Sequence, residues 1–149
     1  MGVGAPAQFL LMEFGDLCRH ALGHVPYHVG SSLKAKDGWR DVDVRVLLPD
    51  EEWDAMGFGD PKLSHQNARW VVCSLAFSAL GQKMTGLPID FQFQRRTEAN
   101  AEFKQPEHLR SALVSPIRFV TDKCEHEYRS VELLECVKCR SRRSSVGLP

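Results

Sequence analysis

The sequence has no excess charge of either sign: its 149 residues carry 19 Lys and Arg against 19 Asp and Glu. No global pull toward nucleic acid or a membrane surface follows, so any such attraction must be local. Long hydrophobic runs are also missing. The richest, Trp70 to Leu80, is interrupted by Ser74 and Ser78 and falls short of the roughly 20 apolar residues a membrane span requires. No basic residue precedes an apolar stretch between Met1 and Gln8, so the start does not read as a secretory signal. No internal repeat is visible. These absences lead us to expect a cytoplasmic protein with no membrane partner. Cysteine is sparse and odd in number: of five, three gather near the C-terminus beside a histidine. That pattern suits a metal site in a reducing compartment better than a disulfide framework. With 43% hydrophobic and 26% charged residues, the composition is that of a folded domain rather than a disordered chain.

Periodicity sets out the elements. Phe9, Leu10, Met12, Phe14, Leu17 and Leu22 recur at mostly three- and four-residue steps, with Cys18 on the same stripe. This predicts a helix over 7–22 that stops at Gly23. A short strand over 24–29 closes at Gly30. Alternation is clearest over 41–48, where Asp41, Asp43 and Arg45 share one face and Val42, Val44 and Val46 the other. A short acidic helix over 50–56 follows, with Asp50 as its cap. Ser64 is a candidate cap for a long helix ending near Met84 or Gly86, its apolar side built from Trp70, Val71, Leu75, Phe77 and Leu80, with Cys73 in the core. A second alternating strand covers 88–94: Ile89, Phe91 and Phe93 on one face, Asp90, Gln92 and Gln94 on the other. Short helices are expected over 97–103, capped by Thr97, and over 106–113. The fold class is α/β (α+β): a small mixed sheet flanked by helices.

The chemistry concentrates in two alternating segments and one turn. Residues i and i+2 of a strand point the same way, so Asp41 and Asp43 can grip one divalent ion or two neighbouring ones. If the two strands are neighbours with apolar faces inward, Asp90 joins them on one surface. Three hard oxygen ligands suit Mg²⁺, which keeps water and takes its remaining ligands from substrate phosphates. The Gly30-Ser31-Ser32 turn supplies what such a site still needs, since glycine allows close backbone approach and the amides and hydroxyls can hold phosphate oxygens. Taken alone, Asp-x-Asp on an amphipathic strand is ordinarily a solvated face, and Gly-Ser is ordinarily a turn.

Taken together, Val29-Gly30-Ser31, Asp41-Val42-Asp43-Val44 and Ile89-Asp90-Phe91 resemble the DNA polymerase β-like nucleotidyltransferase superfamily, in particular its minimal members. The family pattern is an apolar strand ending in Gly-Ser, a strand with Asp-x-Asp, and a later strand with one Asp between apolar residues. The resemblance covers roughly 27–94, and the segment from Asp90 to Asn100 looks like small phage-encoded members, whose compartment would be the host cytoplasm. It implies that Gly30, Ser31 and Ser32 hold a nucleoside triphosphate, that Asp41 and Asp43 bind two Mg²⁺ ions, and that Asp90 shares a metal and helps deprotonate an acceptor hydroxyl. The implied reaction transfers a nucleoside monophosphate to an RNA end, a protein or a small molecule, with pyrophosphate leaving. Lys34, Lys36 or Arg40 would neutralise triphosphate charge. The sequence departs from the family at Ser32-Leu33-Lys34-Ala35, where minimal members often carry a glycine-rich start with arginine nearby.

Cys124-Glu125-His126 and Cys136-Val137-Lys138-Cys139 give four N/S ligands, the number a closed tetrahedral zinc site wants. Glu127 to Glu135 is long enough for a hairpin arm, so the cluster looks like a zinc-ribbon-type hairpin whose Zn²⁺ is structural. The expected division is a nucleotidyltransferase-like domain over 1–118, a zinc hairpin over 119–141 and a flexible tail over 142–149. Lys138, Arg140, Arg142 and Arg143 make the end of the chain basic, fit to contact nucleic-acid phosphates or to dock a protein. A reading from another class is a catalytically silent nucleotidyltransferase fold that binds nucleic acid or a protein through the hairpin. In a third, the acids bind only a structural cation.

Overall fold

The structure, a computed structural model, describes residues 2–35, 37–104 and 109–114. They belong to one compact unit, Met1–Val114. Its elements in order are α1 (Ala7–Leu22), β1 (Pro26–Val29), α2 (Ser31–Lys34), β2 (Val42–Leu48), α3 (Asp50–Ala55), a 3₁₀ helix (Pro61–Gln66), α4 (Ala68–Thr85), β3 (Ile89–Arg95), α5 (Arg96–Glu102) and β4 (Ser111–Ala112). The four strands form one mixed sheet in the order β3-β2-β1-β4. β2 runs antiparallel to β1 and parallel to β3, and β4 pairs antiparallel with β1. The parallel neighbours need a crossover, and α4 lies on it. The expected mixed sheet flanked by helices is therefore present, while Cys124, His126, Cys136 and Cys139, the expected zinc ligands, lie outside the described residues. No helix among the described residues is long and apolar enough to cross a membrane.

Each alternating strand turns its apolar face to the helices. Val42, Val44, Val46 and Leu48 of β2 and Ile89, Phe91 and Phe93 of β3 are buried beneath α1 and α4. Phe91 is the hub: its ring stacks on Phe77 at 4.8 Å and meets Phe14 and Phe93 edge-on at 6.1 and 5.1 Å. Such edge and offset-stacked contacts stabilise beyond area burial. Phe91→Ala is accordingly expected to lower the unfolding free energy by roughly 3–5 kcal/mol, read from urea denaturation. α4 also closes the sheet edge. Ser78 Oγ accepts from the Phe91 N–H at 2.9 Å and Trp70 Nε1 donates to the Phe93 carbonyl at 2.9 Å, which uses polar groups an edge strand would otherwise present for pairing.

Several expectations are corrected here. In α1 the buried positions are Leu11, Phe14, Gly15, Asp16 and Cys18, while Phe9, Leu10 and Leu17 are exposed; at helical spacing Phe9 falls between Asp16 and His20 on the polar side, and Leu10 and Leu17 lie at the margin of the apolar face. In α4 the buried positions are Ser74, Gly81 and Thr85; Trp70, Cys73 and Phe77 pack partly buried against the core as expected, while Leu75 and Leu80 are exposed. Small residues let the helix approach closely: a Cβ on Gly81 would stand 2.9 Å from the Phe14 ring. Ser64 caps nothing; it lies in the 3₁₀ helix, and Asn67 caps α4 by accepting from the Arg69 and Trp70 amides at 3.0 and 3.2 Å. Asp50 is the first residue of α3 rather than its cap, and its carboxylate instead accepts from the amide and hydroxyl of Thr97 at the start of α5. The helix expected over 106–113 gives way, in its described part, to β4. The Leu113 amide donates to the Pro26 carbonyl at 2.9 Å, and its backbone passes Gly15 where a Cβ would collide at 2.4 Å. Burial pushes the Cys18 thiol up to about 12, so it packs as a small apolar group.

Candidate functional site

Because β2 and β3 bury their valine and phenylalanine faces, their polar residues emerge together on the opposite face. The register sets Asp43 beside Asp90, Arg45 beside Gln92 and Leu47 beside Gln94. Across β1, Val29 lies opposite Asp43, so the chain leaving β1 arrives at that carboxylate. The residue that does so is Gly30, with φ +76° and ψ −161°. A Cβ there would lie 2.1 Å from Asp43 Oδ2. The turn and the carboxylate are thus in contact.

A cleft of about 330 Å³ opens on this face. Gly30, Lys34, Asp43, Arg45 and Gln92 form its polar part, and Tyr27, Val29, Leu47, Phe103 and Leu109 its apolar part. Arg110 closes one side, anchored by donating to Asn100 Oδ1 and the Ala99 carbonyl at 2.9 and 3.0 Å.

Arg45 dominates the electrostatics. Its Nη2 donates to Asp43 Oδ1 at 2.7 Å and to Asp90 Oδ2 at 2.9 Å, and its Nη1 donates to the Asp90 carbonyl at 2.7 Å and the Val44 carbonyl at 3.1 Å. Gln92 Nε2 donates to the same Asp90 Oδ2 at 3.0 Å. Burial raises the pKa of Asp43 above the ordinary carboxylate value; Arg45 opposes that shift, while Asp41 and Asp90 add to it as like charges. Asp41 precedes β2 on the same face but is turned toward Arg40, whose Nε donates to it at 3.1 Å.

The residues expected to form the site separate as follows. Asp43 and Asp90 converge on one guanidinium. Asp41 stands next to them, engaged with Arg40. Gly30 touches Asp43, and Ser31 is exposed at the start of α2. Ser32 does not face the cleft: it is fully buried, with its hydroxyl 2.9 Å from His28 Nε2. Lys34 lines the cleft, while Arg40 is taken up by Asp41 and Lys36 lies outside the described residues. The sequence reading assigned no role to Arg45 or Gln92, although alternation already placed each on the carboxylate face. Tyr27 shares the outer face of β1 with Val29, just before Gly30, while Phe103, Leu109 and Arg110 carry no local motif and only the tertiary fold brings them to the cleft.

Among the described residues no three His, Cys, Asp or Glu side chains gather closely enough to hold a metal ion by themselves. Two carboxylates already share one cation, however, and Mg²⁺ is commonly held by one or two carboxylates with water and substrate phosphates completing its shell. The donor set fits a divalent ion that arrives with a phosphate ligand. No family model, curated protein or solved structure matches this chain.

His28 is 2% exposed, on the inner face of β1, and burial lowers its pKa from the ordinary 6.5. The folded chain favours the neutral ring, so the stability it contributes is fully present above the ordinary value and is lost as pH falls through the lowered one. Urea denaturation at stepped pH should show stability declining on the acid side of 6.5. His28→Gln should remove part of that slope.

Proposed function

We propose that this chain is a divalent-metal-dependent nucleotidyltransferase of the DNA polymerase β-like type. The observation that carries the reading is the register of Asp43 against Asp90 on parallel neighbours, with Gly30 in contact with Asp43 at a cleft large enough for a ligand. Asp43 and Asp90 would hold the metal, joined by Asp41 once it leaves its exposed partner. Bound there, the metal supplies charge neutralisation for the triphosphate and the departing pyrophosphate. The chain's own groups do the rest. The Gly30-Ser31 backbone lets phosphate oxygens approach beside Asp43, and Lys34 adds positive charge. Asp90 takes the proton of the acceptor hydroxyl as its oxygen bonds to the α-phosphorus and the bond from that phosphorus to the bridging oxygen breaks. The apolar part of the cleft, from Tyr27 to Leu109, is the natural seat for the nucleoside.

Cys124, His126, Cys136 and Cys139 keep their proposed role as ligands of a structural zinc ion, and the basic residues after Cys136 as contacts for an RNA or protein acceptor. One observation favours the catalytically silent reading: Arg45 already pairs with both carboxylates. The deciding experiment incubates the full chain with each α-³²P nucleoside triphosphate, Mg²⁺, total RNA and cell lysate. Label moving into RNA, protein or a small molecule, dependent on Asp43 and Asp90, supports the enzyme. No transfer and no triphosphate binding overturns it.

A further inference from the structure

Arg45 holds the position that a metal ion must take. Its Nη2 lies between Asp43 Oδ1 and Asp90 Oδ2 at 2.7 and 2.9 Å, and its side chain is 13% exposed. A guanidinium so placed satisfies the same oxygens a divalent cation would ligate. The two cations therefore compete for the same carboxylates. Yet Arg45 also lines the cleft, together with Lys34 and Gly30, so a displaced guanidinium would turn toward the space where a polyanion would sit.

We propose that Arg45 is an internal counter-ion that couples metal uptake to triphosphate binding. Free metal is held off because displacing Arg45 would strand its charge in a half-buried site. A triphosphate in the cleft receives the released guanidinium, for which planar paired donors suit phosphate oxygens. The carboxylates then pass to the metal. The carboxylates thus keep a cationic partner in both states, and metal and triphosphate raise each other's affinity, as linkage requires. This inference rests on the nucleotidyltransferase reading of the same cleft.

The test reads binding alone. Mn²⁺ is titrated into the full chain with and without α,β-methylene nucleoside triphosphates, with water-proton relaxation separating protein-bound Mn²⁺ from Mn²⁺ on free nucleotide. The wild-type chain should bind Mn²⁺ weakly alone and at least about tenfold more tightly with the triphosphate, within the usual span of coupled sites. Arg45→Met and Arg45→Gln should bind Mn²⁺ alone about tenfold more tightly than wild type and lose most of the coupling, and Asp43→Asn/Arg45→Met should lose that gain. Wild-type affinity for Mn²⁺ that is equal with and without triphosphate overturns the proposal even if neither Arg45 variant folds. So does equal affinity for Mn²⁺ alone in wild type and the variants. In both cases the enzyme reading survives. If no chain binds Mn²⁺ even with triphosphate present, the enzyme reading falls and the proposal with it.

Discussion

Asp43→Asn and Asp90→Asn should each reduce label transfer by on the order of 10³-fold or more, the scale on which groups that act as a unit fail when one is removed, while the chain stays folded. Both substitutions keep the shape and an oxygen that can accept from Arg45 Nη2, so the local hydrogen bonds survive. What goes is one negative charge of the pair that would hold the metal. The stability effect at Asp43 has a definite sign. Burial, the largest cause, raises its pKa, so protonation favours the fold and stability is lost as pH rises through the raised value. An asparagine there does not titrate, and the melting temperature of Asp43→Asn relative to wild type should therefore climb as pH rises above the ordinary carboxylate value. Asp41→Asn belongs in the same series. Its pairing with Arg40, whose side chain is 90% exposed, is of a kind worth little, so Asp41 is free to turn toward a bound ion and its loss should also slow transfer. Full label transfer by Asp43→Asn/Asp90→Asn would remove the carboxylates from the chemistry.

The sheet face that carries these carboxylates was legible because alternation is a strict period. Val42, Val44 and Val46 had to share a face, as did Ile89, Phe91 and Phe93, and a common core then brings Asp43 and Asp90 out on the same side. Gly23 and Gly86 were equally readable as helix stops, and both are left-handed caps. The helices were less legible where burial depends on closeness of approach and not on apolarity. Ser74 and Gly81 are buried in α4, whereas Leu75 is 63% exposed, and no hydrophobic period foresees that. Ser32 looked like a phosphate contact by position, yet a single helical turn after Gly30 rotates it inward against His28. Phe103, Leu109 and Arg110 reach the cleft from segments distant in the chain, whereas Tyr27 stands beside Val29 and Gly30 at the end of β1. Arg45 was visible as a charge on the right face, but only the strand register places it between two carboxylates. The four expected zinc ligands lie beyond the described residues.

Gly30→Ala should lower stability and transfer together, for two separable reasons. The first is backbone: φ +76° with ψ −161° lies in a region essentially reserved for glycine, at a cost of roughly 1–3 kcal/mol for any other residue. The second is collision, since the added Cβ would meet Asp43 Oδ2 at 2.1 Å and Cγ at 2.9 Å. Either the turn or the carboxylate must move. A double-mutant cycle with Asp43→Ala tells them apart. That change removes the two closest atoms and leaves Asp43 Cβ at 3.3 Å, which a small shift relieves. In the Asp43→Ala background, Gly30→Ala should therefore cost less than in wild type but still carry the backbone penalty, both read from urea midpoints. Transfer should fall in Gly30→Ala even where the chain is fully folded, because the carboxylate it displaces is the one the metal needs. A Gly30→Ala chain within about 0.5 kcal/mol of wild type, the range of a neutral surface substitution, and with full transfer would contradict the contact between turn and carboxylate. The same glycine lets β1 turn into α2 and leaves Asp43 room to sit beside Asp90, so the turn that the fold requires is also the one that shapes the site.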